Sequence, residues 1–270
     1  MKLILLTGAA GGVAEMIRPL LRARYRVRLS DREPVNDVQA GEECAPADLG
    51  DMAALRAAIR GVEGIVHLGG QSLEADWATI RETNIDGAYN LFEAARLEGV
   101  RRIVFASSNH VMGFYPRSET IPAVVTVRPD SRYGVSKAFG EALASLYAYK
   151  YGTEVLTIRI GHILPKPRTV RDLSIWLSPR DFCQLIGIGL GTPGLRHEIV
   201  YGMSDNARAW WDNGNAARLG YKPGDRAEDH AAGVLAADGG PIGDERVDLN
   251  QGGHFCVAEL LVKPIQGNID

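Results

Sequence analysis

The sequence predicts an α/β fold: a doubly wound parallel sheet with helices on both faces, followed by a smaller C-terminal part. Three observations predict it. Apolar strand-like runs alternate with amphipathic helical runs as far as Gly161. The first strand passes to the first helix through a glycine turn, TGAAGGVA (Thr7 to Ala14). The alternation then stops where prolines at 165, 167 and 179 punctuate the chain, so two parts are expected, 1–161 and 162–270.

Residues 2–7 are a buried strand by composition. From Gly11 to Arg24 the apolar positions Val13, Met16, Ile17, Leu20 and Leu21 recur at helical spacing. YRVRLSD (25–31) alternates and reads as a second strand, and a short amphipathic helix follows over 51–60. GIVHLGG (64–70) is a third strand ending in glycines, a long helix covers 76–98, and RIVFASS (102–108) is a fourth strand. A helix over 131–151 and the strand TEVLTIRIG (153–161) complete the alternation. Beyond it, a helix opens at Ser178 with Pro179 in its first turn, and short elements follow, among them HEIVYG (197–202) and a helix near 226–237. The weak periodicity of 258–270 reads as a loose tail.

The 270 residues suffice for one large core, and 46% hydrophobic with 23% charged residues is ordinary for a globular chain. A net charge of −3 gives no electrostatic footprint for nucleic acid. No apolar run is long enough to span a bilayer, and KLILL reads as a strand, not a signal peptide. Cys44, Cys183 and Cys256 are odd in number, far apart and outside any CxxC pattern. They form neither a disulfide framework nor a zinc site, and a reducing cytoplasm is expected, with no metal.

The glycine turn has a chemical reading. Between a strand and a helix, the spacing Gly8-x-x-Gly11-x-x-Ala14 presents backbone N–H groups at a helix N-terminus, a site suited to pyrophosphate. Twenty residues after Gly11, Asp31 ends the second strand, where a carboxylate accepts from ribose hydroxyls and repels a 2′-phosphate. NAD is therefore expected over NADP, with Arg32 alongside as the opposing signal. Asp48 and Leu49 stand where an adenine edge is met. The plainer reading, a tight turn and a surface aspartate, explains neither the strand–helix context nor the acid's position. The fold expected for 1–161 is thus Rossmann-type, and 162–270 becomes the substrate-binding part.

A second constellation lies at the start of the 131–151 helix. Tyr133 and Lys137 are four apart and share one face. An ammonium and a cationic nicotinamide beside a phenol favour phenolate, which makes Tyr133 a usable general base. Ser108 ends the fourth strand, where its hydroxyl can hold the oxygen that Tyr133 deprotonates. A YxxxK pair alone is common on amphipathic helices; its position after four strands, with Ser107-Ser108 on the preceding one, is the stronger signal.

TGxxGxxA, Asp31, Ser108 and YxxxK together resemble the extended short-chain dehydrogenase/reductase family, which includes NAD-dependent epimerases and dehydratases. Within it, HLGGQS (67–72), RIVFASSNHVMGFYPR (102–117), RPDSRYGVSKAFGE (128–141), WWDN (210–213) and QGGHF (251–255) are most similar to the uronate dehydrogenases. That resemblance implies NAD-dependent oxidation of a hexuronic acid, glucuronate or galacturonate, at C1 to an aldarolactone. It implies Tyr133 as base, Lys137 as the residue that tunes it and holds the nicotinamide ribose, and Ser108 as the residue that orients the sugar. It implies cofactor contacts from Gly8, Ala10, Gly11, Gly12, Val13, Asp31, Asp48, Leu49, Leu68, Gly69, Gly70, Asn84 and Ile160. For the sugar it implies Ser72, Asn109, His110, Arg171 on the substrate carboxylate, His162 and Phe255. A planar guanidinium suits a carboxylate, although read alone Arg171 is a surface arginine in a basic loop with Lys166 and Arg168. The resemblance also implies a homo-oligomer in which helices 76–98 and 131–151 pair across a two-fold axis.

The sequence departs from the resemblance at His162, where a small serine is expected, and at Met112 and Gln71, where aliphatic residues are expected beside the site. The alternatives are a nucleotide-sugar epimerase or dehydratase, a neutral aldose dehydrogenase, and a non-enzymatic NAD-binding protein. Asn109 and His110 stand where a dehydratase carries acids, and the presence of both Tyr133 and Lys137 argues against the last.

Overall fold

The computed structural model describes residues 1–258. Most of the final segment read as a tail, 259–270, lies outside them. The elements that build the sheet are β1 (Leu3–Thr7), α1 (Gly12–Arg22), β2 (Arg26–Ser30), β3 (Glu42–Cys44), α2 (Met52–Ile59) and β4 (Gly64–His67), then α3 (Gly87–Leu97), β5 (Arg102–Ser108), α4 (Arg132–Tyr151), β6 (Glu154–Ile160), α5 (Pro179–Gly191) and β7 (His197–Gly202). All seven strands pair in parallel in the order β7-β6-β5-β4-β1-β2-β3.

Side chains alternate across the sheet, so each strand feeds two cores. Ile4 and Leu6 of β1 and Val104 of β5 pack with Ile17 and Leu21 of α1 and Phe182, Leu185 and Ile186 of α5. Leu5, Ile103 and Phe105 point the other way, against Leu55 and Ile59 of α2, Leu91 and Phe92 of α3, and Leu143 and Tyr147 of α4. Asp51 caps α2 by accepting from the N–H groups of Ala53 and Ala54, and Ser131 caps α4 by accepting from Gly134 N–H. Gly152, with φ +72°, ends α4.

Three features differ from expectation. The helix expected over 76–98 is one α-turn (Trp77–Ile80), a π-helical stretch (Arg81–Asp86) and then α3. The π-stretch carries Asn84, whose amide donates to Gln71 O and Ser136 Oγ while its oxygen accepts from Gln71 N–H. Those three bonds compensate the irregular ladder. The short strand β3 carries charge, not apolar residues, and pairs through its backbone at the sheet edge while Arg18 holds the Glu42 carboxylate at 2.7 Å. HEIVYG, expected as one of several short elements outside the alternation, is β7, paired along its whole length with β6. The segment 162–270 thus contributes a strand to the sheet formed by 1–161.

Candidate active site

The carboxyl ends of β1 and β4 flank the point where strand order reverses, and the principal cleft opens there. It encloses 1690 Å³, more than the roughly 300–1,000 Å³ of a pocket for one drug-sized ligand. Its volume suits a dinucleotide and a second small molecule.

The dinucleotide end is built by the glycine turn. Gly8 has φ +69°, and a Cβ there would lie 2.7 Å from the Leu68 carbonyl carbon and 2.8 Å from Gly69 N. Gly8→Ala is therefore expected to cost about 1–3 kcal/mol of stability, measured as a lowered denaturant midpoint, and to weaken NAD binding in a fluorescence titration. Gly11 is the N-cap of α1 and has no side chain to satisfy the first-turn N–H groups, while a Cβ on Gly12 would point into open space. That uncapped, unobstructed helix start fits a pyrophosphate. Ala14 is fully buried against the sheet. The Asp31 carboxylate accepts from Ala10 N–H at 3.0 Å and Glu33 N–H at 3.1 Å, which stitches the end of β2 to the glycine turn. Asp31 lines the cleft, where a carboxylate fits an adenosine ribose. Asp48 closes its own turn by accepting from Gly50 N–H at 2.7 Å. Val13, Leu49, Leu68, Gly69, Gly70 and Ile160 are also on the wall. Asn84 is not: it lies buried behind, fixing the Gly70–Gln71 backbone through the bonds described above.

At the other end, Ser108, Tyr133 and Lys137 meet. Close approach of α4 to the turn after β5 depends on Gly134, where a Cβ would sit 2.4 Å from His110 O. Glu74 accepts from Tyr133 N–H at 3.0 Å and pairs with Arg132, fixing the same helix start to the 71–76 loop that carries Ser72. Burial pushes the Tyr133 hydroxyl up to about 12, and a hydrogen bond with Ser108 offsets only part of that. The phenolate expected beside Lys137 and a cationic nicotinamide is thus not favoured by the chain alone. Lys137 Nζ donates to Ala106 O at 2.9 Å and stands 5.6 Å from the Tyr133 ring centre. Burial draws its ammonium down to about 8. His67, beneath it, is held neutral by burial and by the Lys137 charge, down to about 3.

The remaining candidates lie around this second end of the cleft. His110 stacks on Phe255 at 3.8 Å, and its Nδ1 donates to Asp130 Oδ2 at 2.7 Å. With its amide oriented to satisfy both ends, Asn109 donates to Ile160 O at 3.1 Å and accepts from Arg171 Nη2 at 3.0 Å. Arg171 also donates to Gln251 O, at 2.7 Å from Nη2, and no described carboxylate pairs with it. Burial and the nearby Arg117 draw its guanidinium down to about 10. It is a cleft-wall residue, not part of a solvated basic loop. His162 Nδ1 donates to Asp172 Oδ1 at 2.8 Å. Gln71 lines the cleft; Met112 does not, being fully buried with Tyr115, Tyr201 and Trp211.

Sequence reading missed Arg117, Glu74, Asp130 and Asp172. Arg117 lines the cleft and donates to the Val247 and Asn250 carbonyls, bracing the strap that brings in Phe255. The two aspartates orient imidazoles from 20 and 10 residues away, and a pattern of local spacing does not reveal such pairs.

Residues 4–171 match the model of the NAD dependent epimerase/dehydratase family. The chain is 48% identical over 257 residues to a uronate dehydrogenase of Pseudomonas putida, covering 94% of this chain and 96% of that one. Among solved structures it superposes on a glucuronic acid dehydrogenase from Chromohalobacter salexigens, with TM-score 0.92, 46% identity, and 96% and 97% of the two chains covered. It also superposes on a uronate dehydrogenase from Agrobacterium tumefaciens, solved as a mutant complexed with NAD, with TM-score 0.93, 42% identity, and 97% and 100% covered.

Proposed function

The chain belongs to the NAD dependent epimerase/dehydratase family, and from that premise we propose that it oxidises a cyclic hexuronic acid, glucuronate or galacturonate, at C1 to the aldarolactone. One observation carries the choice of an acidic sugar: Arg171, a cation without a carboxylate partner among the described residues, shares its cleft with Ser108, Tyr133 and Lys137.

When bound, NAD⁺ supplies the hydride acceptor and a positive charge beside the sugar. The Gly8–Val13 turn, Asp31 and Lys137 are the residues to hold it. Arg171 grips the sugar carboxylate through its planar fork. Ser108 hydrogen-bonds the C1 oxygen, and Tyr133 Oη removes the C1 hydroxyl proton as the C1 hydrogen leaves as hydride. Because burial keeps the ligand-free Tyr133 hydroxyl protonated near neutrality, deprotonation depends on positive charge brought to the site. Asn109 and His110 line the sugar pocket, and Phe255 shields it from water.

The reading extends to assembly and location. We propose a homo-oligomer pairing α3 and α4 with a second copy, supported by Tyr89, Leu97, Leu146 and Tyr149 exposed on those helices. We propose a cytoplasmic protein, supported by three free cysteines.

The test is NADH absorbance with purified protein and NAD⁺, adding glucuronate, galacturonate, glucose and galactose in parallel. Turnover is expected with the uronates alone, and Arg171→Ala is expected to raise KM by about 10- to 100-fold, on the order of a lost charge-assisted pair. Equal turnover of neutral sugars would overturn the proposal.

A further inference from the structure

The oxidation moves one proton, and Tyr133 takes it. The cleft nevertheless holds an acid–base pair which that step does not use. His162 leaves the sheet two residues beyond Ile160, and Ile160 is the register partner of Ser108. The imidazole therefore follows closely on the strand that pairs with the Ser108 strand, and it lines the same cleft as Ser108. Asp172 fixes its orientation: Oδ1 accepts from His162 Nδ1–H, while Oδ2 accepts from Arg168 and Thr169 N–H, each at 3.0 Å. Burial works to raise the Asp172 carboxyl, but His162 and those backbone donors outweigh it, and the group is held below its usual range. An anchored carboxylate on Nδ1 leaves Nε2 as the working nitrogen. No described residue bonds Nε2, and the side chain is 30% exposed, open to cleft water. The other imidazole–aspartate pair differs: His110 lies stacked under Phe255 with its side chain 12% exposed.

Resting on the proposed oxidation and its lactone product, we infer that the chain has a second activity: His162 acts as general base for hydrolysis of the aldarolactone in the same cleft. His162 Nε2 takes a proton from water as the water oxygen bonds to C1. Ser108 and Tyr133 hydroxyls hold the carbonyl oxygen as it gains charge. The C1–O5 bond then breaks, and the imidazolium returns its proton to O5. Water is consumed, no electrons are exchanged, and the new carboxyl group releases a proton to solvent. His162 is catalytic in this step. Asp172 is a positioning residue, acting through the imidazole.

The experiment uses chemically prepared galactaric acid 1,5-lactone without NAD, so it stands whether or not the protein oxidises uronates. Ring opening is followed by proton release in weak buffer and by NMR. Bound lactone is expected to open about 10²–10⁴-fold faster than free lactone, the usual contribution of a positioned base. His162→Gln and His162→Ser, checked for folding by NAD titration, are expected to return to the buffer rate. Asp172→Asn is expected to lower kcat by about tenfold with KM within about twofold, separating orientation from binding. Wild-type protein that opens the lactone no faster than buffer, or a His162→Gln variant as fast as wild type, would overturn the inference. His162 would then be a sugar-hydroxyl contact only.

Discussion

Tyr133→Phe is expected to lower kcat for uronate oxidation by about 10²–10⁴-fold, the range for losing a positioned general base, while NAD affinity stays near wild type. The reason lies in which atoms the substitution removes. The ring is buried on the cleft wall and its hydroxyl is bonded to Ser108, so phenylalanine keeps the packing and deletes only the proton acceptor. The pyrophosphate cradle and Asp31 are at the other end of the cleft and do not change. Stopped-flow NADH formation with a parallel NAD titration checks both halves. If both affinity and rate fall, Tyr133 is a structural prop of the cofactor end. If the rate barely moves, another group is the base, and the Ser108–Tyr133–Lys137 assignment fails. Burial holds the hydroxyl up to about 12 in the chain alone, so proton removal by Tyr133 depends on cofactor charge, and NAD⁺ is expected to move the rise of tyrosinate absorbance to lower pH.

Glu141→Ala is expected to cost about 3–5 kcal/mol, the penalty for removing one partner of a buried ion pair. Arg159 on β6 donates to both Glu141 oxygens at 2.8 Å, and Ser107 Oγ donates to one of them at 2.7 Å. The remaining Arg159 nitrogen donates to Ala123 O at 2.9 Å. Deleting the carboxylate leaves a guanidinium in the interior with no counter-charge, beside the Ala123 carbonyl and Tyr201. The loss joins β5, β6 and α4, the elements that carry Ser108, Ile160 and Tyr133, so activity should fall with the folded fraction. Urea denaturation of the variant measures it. The double variant Glu141→Leu with Arg159→Met should recover most of the stability, because removing both charges removes the uncompensated one.

The sheet and the cofactor end were legible in the chain because their signals are local. Apolar runs mark β1, β4, β5 and β6, and a glycine turn of fixed spacing marks the anion cradle. Tyr133 and Lys137 share a helix face whatever surrounds them. What could not be read depends on partners distant in sequence. β3 is a three-residue strand with two glutamates that exists because β2 offers it an edge and Arg18 neutralises Glu42. The π-stretch is set by Asn84 reaching Gln71 and Ser136. Burial, invisible in the spacing, raises the Tyr133 hydroxyl in the chain alone. Arg171 reads as a surface arginine until the fold places it on the cleft wall against Asn109 and Gln251.

The pairing of β7 with β6 bears on how such chains can be recombined. A chimera that grafts a new sugar end at residue 161, where the sequence rhythm breaks, would strip β7 away and bare the hydrogen-bonding edge of β6 from Val155 to Ile160. The crossover that respects the sheet lies after Gly202. A donor segment joined there would inherit Phe255 and Gln251 but leave His162, Arg171 and Asp172 with the host. The cleft wall is therefore divided between two stretches of chain that shuffling at a single seam would separate.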